Sequence, residues 1–220
     1  DANGAAVGGE FQVNTFTSSD QLFSSVAMDD AGNFAVTWSS FTQDGSSYGV
    51  YAQRYDANGA AVGGEFHVNT FTSSHQTYSS VAMDDAGNFV VTWNSANQDG
   101  SGYGIYAQRY DANGAAVGGE FQVNTFTSYD QIYSSVAMDE AGNFVVTWSS
   151  YAQDGSGYGI YAQRYDGGFA GASLDVTVNN VAPTLVLSTV TPIDENGTAT
   201  VSGTFTDIGL QDVHTVTVAW

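Results

Sequence analysis

The sequence predicts an all-β chain assembled from tandem four-stranded antiparallel sheets, and three observations carry that expectation. A unit of 55 residues repeats, so that Asp1, Asp56, Asp111 and Asp166 are equivalent positions. Within each unit, short apolar stretches that alternate or run together are separated by Gly-Asn or Asn-Gly turns. No stretch shows the apolar spacing of an amphipathic helix.

Each element follows from that pattern. The organising stretch is Ser24 to Trp38, which returns as Ser79 to Trp93 and as Ser134 to Trp148. Val26-Ala27-Met28 and Phe34-Ala35-Val36-Thr37-Trp38 flank the turn Asp30-Ala31-Gly32-Asn33, which makes a β-hairpin. Ser39 to Ser47, with Gln43-Asp44-Gly45 inside it, reads as a longer loop. Tyr48 to Tyr55 is a third strand, with Val50, Ala52 and Arg54 on one face. A turn of the Asp1-Ala2-Asn3-Gly4 kind, type I followed by a left-handed glycine, then leads into a fourth strand. That strand is represented first by Glu10 to Thr15.

The point at which the repetition ends sets the phase of the unit. Asp175 to Asn180 keeps the alternation of Glu120 to Thr125, and the chain departs from the repeat after it. Three complete units therefore span 17–71, 72–126 and 127–180, and 1–16 belongs to the end of a preceding one. A four-stranded repeat of about this length is the signature of a propeller blade. Three blades fall short of the roughly four to eight that close a ring, so a partial β-propeller with an exposed edge is expected. Small residues in Ser25-Val26-Ala27 suit an inner strand crowded near an axis.

The string "SVAMD-x-x-GNFVVTW … DGSGYGIYAQRYD" resembles the tandem units of large secreted or surface proteins of bacteria, and more distantly NHL-type blades. This resemblance covers the repeat region, 1–180, and implies an extracellular setting. From Val181 the composition shifts to Thr, Val and Pro, and 181–184 reads as a linker. Beyond it, Glu195 to Asp207 and His214 to Trp220 resemble the start of a PKD-type, immunoglobulin-like module over 185–220. That resemblance implies an incomplete β-sandwich, since such a module takes about 80 to 100 residues. The chain opens on Asp1 rather than Met and stops in a strand-like run, so it reads as a piece of something larger.

Composition excludes several partners. The chain has 220 residues, 42% of them hydrophobic, and only 3 Lys and Arg against 23 Asp and Glu. A net charge of −20 argues against nucleic acid or an anionic membrane surface, because neutralising phosphates takes cations that are scarce here. With no cysteine there is no disulfide framework and no thiolate site. No run approaches the roughly 18 apolar residues of a membrane span.

The candidate chemistry lies in turns and loops. Asp29, Asp30 and Asn33, with Asp84, Asp85, Asn88 and Asp139, Glu140, Asn143, offer oxygens that a hard cation such as calcium accepts. The same residue types are what hairpin geometry selects by itself. Arg54, Arg109 and Arg164 are the only basic side chains, and they share one repeat position, which suits a structural pairing with an acid or an aromatic ring. His67, His75 and His214 stand at unrelated positions, so no repeated zinc or acid–base set emerges, and no nucleophile triad or phosphate loop is visible. The aromatic residues Phe41, Tyr129 and Tyr151 lie where the units differ from one another, around the loop before the first strand and the Gln-Asp-Gly loop. These two loops should emerge at one end of each unit and form a ligand face. The reading is a non-enzymatic extracellular scaffold for adhesion or ligand display, with calcium as a stabiliser and glycans, matrix or cell-surface proteins as partners. Its alternatives are a passive spacer and the non-catalytic part of a propeller hydrolase.

Overall fold

The computed structural model describes residues 4–167. Those residues form strands and no helix: β1 (Gln21–Met28), β2 (Phe34–Phe41), β3 (Tyr48–Tyr55), β4 (Ala61–His67), β5 (Gln76–Met83), β6 (Phe89–Ala96), β7 (Tyr103–Tyr110), β8 (Ala116–Gln122), β9 (Gln131–Met138), β10 (Phe144–Tyr151) and β11 (Tyr158–Tyr165). They assemble into three antiparallel sheets in the orders β1-β2-β3-β4, β5-β6-β7-β8 and β9-β10-β11. Strands pair only within their own unit, as separate propeller-like blades do and as the stacked turns of a solenoid do not. The expected strand Asp175 to Asn180, the linker 181–184 and the sandwich module over 185–220 lie outside the described residues.

The hairpins form where the turn chemistry places them. At the β1–β2 turn the Gly32 amide donates to the Asp29 carbonyl at 3.0 Å, and Gly32 takes a left-handed φ of 89°. The Asp56 turn between β3 and β4 is built the same way on Gly59, at φ 80°.

The fourth strand departs from expectation. It runs Ala61–His67 rather than over the stretch equivalent to Glu10–Thr15, because β3 pairs Arg54 with Val62 and Tyr55 with Ala61 immediately beyond the turn. A bulge between Ala52 and Arg54 contains the left-handed Gly63. Glu10 to Thr15, expected as a strand, is not one, since no described strand lies beside it to complete a ladder.

The sheets pack face to face in sequence order, and two equivalent apolar clusters sit between them. The first joins Ala35, Val50, Ala52 and Val68 of the first unit to Val81, Phe89, Val91, Trp93, Tyr106 and Tyr110 of the second. The second joins Ile105, Ala107 and Val123 to Phe144, Val146 and Trp148. Trp93 and Trp148 sit in these inter-unit clusters, and Trp38 is buried as well. Small side chains let each inner strand approach the second strand of the preceding unit: Ser79 donates to Thr37 and Thr92 to Ser134 through their hydroxyls, both at 3.0 Å. Packing runs from the first sheet to the second and from the second to the third, and the arrangement does not close.

Glu65 and Glu120 tie the units together. The Glu65 carboxylate accepts from the Thr15 amide and hydroxyl and from Gln43, and Glu120 repeats the pattern with Thr70 and Gln98. Arg54, expected to pair with an acid or an aromatic ring, donates through Nη1 to the Ala112 carbonyl of the next unit at 2.6 Å.

Candidate ligand-binding end

Every unit has two ends of different construction. At the turn end, the Asp29 carboxylate accepts from the Asn33 amide and from Asn33 Nδ2, both at 2.8 Å, and Asp84 and Asp139 hold Asn88 and Asn143 in the same manner. These acids are built into their own hairpins. Bonding from Asn143 and Ala141 holds the Asp139 carboxyl below the usual carboxylate range. Asp85 is pushed the other way by desolvation, then by the neighbouring charges of Asp30, Asp84 and Asp29, so acidic turns of consecutive units crowd one another. A groove between the second and third turns is lined by Asp84, Asp85, Asp139 and Glu140. Among the described residues no three Asp, Glu or His side chains converge as a metal centre.

The other end carries the loops. The loop before each inner strand and the loop after the second strand meet there: the Phe41, Ala96 and Tyr151 amides donate to the carbonyls of Asp20, His75 and Asp130, each at 2.9 Å. Here the backbone is strained at three repeated positions. Ser19, Ser74 and Tyr129, then Phe23, Tyr78 and Tyr133, then Thr42, Asn97 and Ala152 all have positive φ, and they are the only non-glycine residues among those described that do. An aromatic ring in this region is a conformational outlier, and such strain clusters at functional sites.

The rings at the second of these positions form a row. The register of β1 against β2 slips between Leu22 and Ser25, and that of β5 slips between Thr77 and Ser80, which places Phe23 and Tyr78 in β-bulges. Phe23 stacks on Tyr78 with centroids 4.1 Å apart, and Tyr78 meets Tyr133 edge to face at 5.1 Å. All three rings are exposed. The row thus crosses the inner strands of three consecutive units on the solvent side.

Buried amides hold the loops beneath it. Gln76 and Gln131 are fully buried, and each donates to a serine carbonyl, Ser73 or Ser128, at 2.9 Å. The Asn124 amide donates to Gln131 Oε1 at 3.1 Å, and Asn124 Oδ1 accepts from the Ile105 amide at 2.7 Å. Asn94 Oδ1 accepts from the amide of the strained Tyr133 at 3.0 Å.

The three aromatic residues predicted for this end are placed differently from one another. Tyr129 meets Tyr151 edge to face at 5.8 Å, and Tyr158 joins them 5.1 Å from Tyr151. All three are exposed. Phe41 is half-buried and packs on Tyr48 at 4.8 Å within its own unit. Desolvation, then the charges of Asp130, Tyr133 and Tyr151, holds the Tyr158 hydroxyl above the ordinary tyrosine range. Sequence reasoning missed Phe23, Tyr78, Tyr133 and Tyr158. The signal that could have found the row was an aromatic residue at one repeat position in every unit, although alternation alone would have buried it.

No protein-family model matches the chain, and no curated protein matches it. Among solved structures it is similar to an endo-arabinase from Bacteroides thetaiotaomicron, at 17% identity and a TM-score of 0.42 over 66% of this chain and 56% of that one. It is similar also to an α-L-arabinofuranosidase from Lactobacillus brevis, at 12% and 0.46 over 70% and 55%. A fucose lectin from Kordia zhangzhouensis, solved with methyl-fucoside, stands at 16% and 0.40 over 66% and 98%. The chain spans just over half the length of the two glycosidases. Its own strand pairing and inter-unit packing make it an all-β protein of tandem, propeller-like antiparallel sheets.

Proposed function

We propose that this chain is a non-catalytic scaffold of the cell exterior that binds glycans through the aromatic row Phe23, Tyr78 and Tyr133, flanked by Tyr129, Tyr151 and Tyr158. The observation that carries the reading is the row itself: exposed rings on left-handed backbone, at one repeat position, at the end where the units diverge. Aromatic rings give sugars an apolar surface, and a positioned row suits a chain of them. The net charge of −20 favours neutral polysaccharides over anionic ones. The acids of this end serve its loops: Asp44, Asp99 and Asp154 accept from the amides two residues on, and Asp130 accepts from the Tyr103 amide. That use supports a binding rather than a hydrolytic role. Calcium is proposed as a weak stabiliser of the crowded turn end, where paired carboxylates and turn carbonyls are a sparse ligand set.

Affinity electrophoresis against a panel of neutral and acidic polysaccharides tests the reading. Retardation by a neutral polymer is expected, and the triple variant Phe23→Ala, Tyr78→Ala, Tyr133→Ala should lose it, about a hundredfold in affinity at roughly 1 kcal/mol per ring. Undiminished retardation of that variant, with an unchanged near-ultraviolet spectrum for the remaining aromatics, refutes the assignment.

A further inference from the structure

Tyr78 and Tyr133 are two phenols held against each other across the joint between the second and third units. Tyr78 lies within β5 and Tyr133 within β9, and their ring centroids stand 5.1 Å apart with the ring planes at 88°. In such an edge-to-face contact the edge carbons of one ring touch the face of the other. The other tyrosine rings in contact, Tyr129 with Tyr151 and Tyr151 with Tyr158, belong to the third unit alone. Tyr78 is 37% exposed and Tyr133 57% exposed, so both are open to a reagent in solution and each ring has room to turn.

The backbone beneath the pair is fixed on both sides. Tyr78 and Tyr133 take φ of 55° and 59°, each where its inner strand slips register: between Thr77 and Ser80 for Tyr78, and opposite Thr147 to Ser149 for Tyr133. The Tyr133 amide donates at 3.0 Å to Oδ1 of Asn94, a fully buried residue of β6, so the second unit itself positions the third unit's tyrosine. The Val136 amide adds a bond to the Ser80 hydroxyl at 3.3 Å between the same two inner strands. Groups held in contact by a rigid frame react as though at a concentration far above that of free encounter. The first joint is built alike but lacks one phenol, since there Phe23 stacks on Tyr78 with centroids 4.1 Å apart. The chain has no cysteine with which to tie either joint.

We propose that Tyr78 and Tyr133 are a site of oxidative coupling, at which a haem peroxidase with hydrogen peroxide joins them into a dityrosine that staples the second unit to the third. Each phenol gives up one electron and one proton. The two electrons and two protons reduce one hydrogen peroxide to two water molecules. The two phenoxyl radicals then pair their electrons in a new carbon–carbon bond between the ring positions next to the hydroxyls. Each of those carbons loses its hydrogen as a proton while each ring oxygen takes one up, which restores both aromatic rings and both hydroxyls. The chain ends lighter by two hydrogen atoms, with one covalent link between equivalent positions of consecutive units. That link closes a loop in the unfolded chain as a disulfide does. The first joint stays open to this chemistry, because Phe23 has no hydroxyl to oxidise. The step needs no glycan and is independent of the function proposed above.

Dilute full chain treated with a haem peroxidase and limiting hydrogen peroxide reads the coupling. Cleavage after arginine places Tyr78 in residues 55–109 and Tyr133 in residues 110–164. The expected product is a monomer with dityrosine fluorescence, lighter by two hydrogen atoms, whose two peptides stay joined after cleavage. Its melting temperature should rise by roughly 5 to 10 °C. Tyr78→Phe and Tyr133→Phe keep the rings and should each lose the joined peptides, whereas Tyr158→Phe should retain them. Oxidised monomer without joined peptides overturns the proposal, as does coupling that forms only between chains. So do joined peptides that survive Tyr78→Phe or vanish with Tyr158→Phe. Glycan retention by a chain that does not couple would leave the functional reading standing while this one falls.

Discussion

The two ends of each unit solve the same geometric problem in opposite ways. Both need left-handed residues to turn the chain. At the turn end these are Gly32, Gly59, Gly87, Gly114 and Gly142, while at the loop end Ser, Phe, Tyr, Thr, Asn and Ala hold positive φ beside a loop glycine. A left-handed non-glycine residue costs roughly 1 to 2 kcal/mol. The turn end avoids that cost, and within the hairpin turns between the first and second strands only Asp30, Asp85 and Glu140 vary. The loop end accepts it, and that is where the sequence varies. The difference separates a structure written locally from one enforced by its surroundings, with conformational strain retained where a surface is presented.

Experiments on both ends can break or sharpen this contrast. The largest effect after loss of binding is expected at the turn end. Gly87 has a φ of 84°, and a Cβ there would lie 3.4 Å from that of Ala112. Gly87→Ala should therefore cost about 1 to 2 kcal/mol in urea unfolding. A variant as stable as the parent would show that the turn end tolerates strain as the loop end does.

The converse change belongs to Tyr78. Glycine relieves its left-handed backbone and alanine does not, although both remove the ring. Tyr78→Gly should exceed Tyr78→Ala in stability by about 1 kcal/mol. Equal stabilities would mean that the positive φ stores nothing.

His67 gives a smaller, pH-dependent effect. Desolvation holds its imidazole below the ordinary histidine range, against the opposing pull of Asp44, whose Oδ2 lies 3.9 Å from Nε2. The folded state thus binds a proton less readily than the unfolded chain. The stability that follows is present above about pH 6.5 and is lost as pH falls through the window below it. Gln122, at the same position in the next unit, donates to Asp99 Oδ2 at 3.2 Å, so glutamine fits. His67→Gln should flatten the melting temperature between pH 7 and pH 5, and an unchanged slope would assign the dependence elsewhere.

The smallest effect is expected among the crowded acids. The carboxyl of Asp85 is raised, first by desolvation and then by Asp30, Asp84 and Asp29. Its contribution to stability is present below the unfolded value and is lost as pH rises through the folded one. Asp85→Asn should accordingly melt slightly higher than the parent at pH 7 and no higher at pH 3. Millimolar calcium at fixed ionic strength should raise the parent's melting temperature, with an affinity of order 10⁻⁴ to 10⁻³ M, and should raise that of the variant less. A curve unmoved by calcium leaves these acids as turn formers.

The strands and hairpin turns were legible because they are local. Alternation in Phe34 to Trp38 and the Asp-Ala-Gly-Asn turn specify a hairpin without reference to anything distant. The repeat then carried that reading through the chain, and the meeting of the two variable loops at one end follows from a four-stranded meander. The fourth strand was misplaced because its start depends on pairing with Arg54 and on the bulge at Gly63, neither of which alternation reveals. Tyr129 and Tyr151 were visible as variable aromatic residues, but Phe23, Tyr78 and Tyr133 were not legible as a row. Their rings meet only after three sheets pack in succession and a register slip turns each one outward. Sequence alone therefore determined which segments pair within a unit, since backbone hydrogen bonds and turn residues are short-range. Tertiary structure alone decided which side chains of different units share a surface, because that follows from the packing between sheets, to which residues 55 positions apart contribute together.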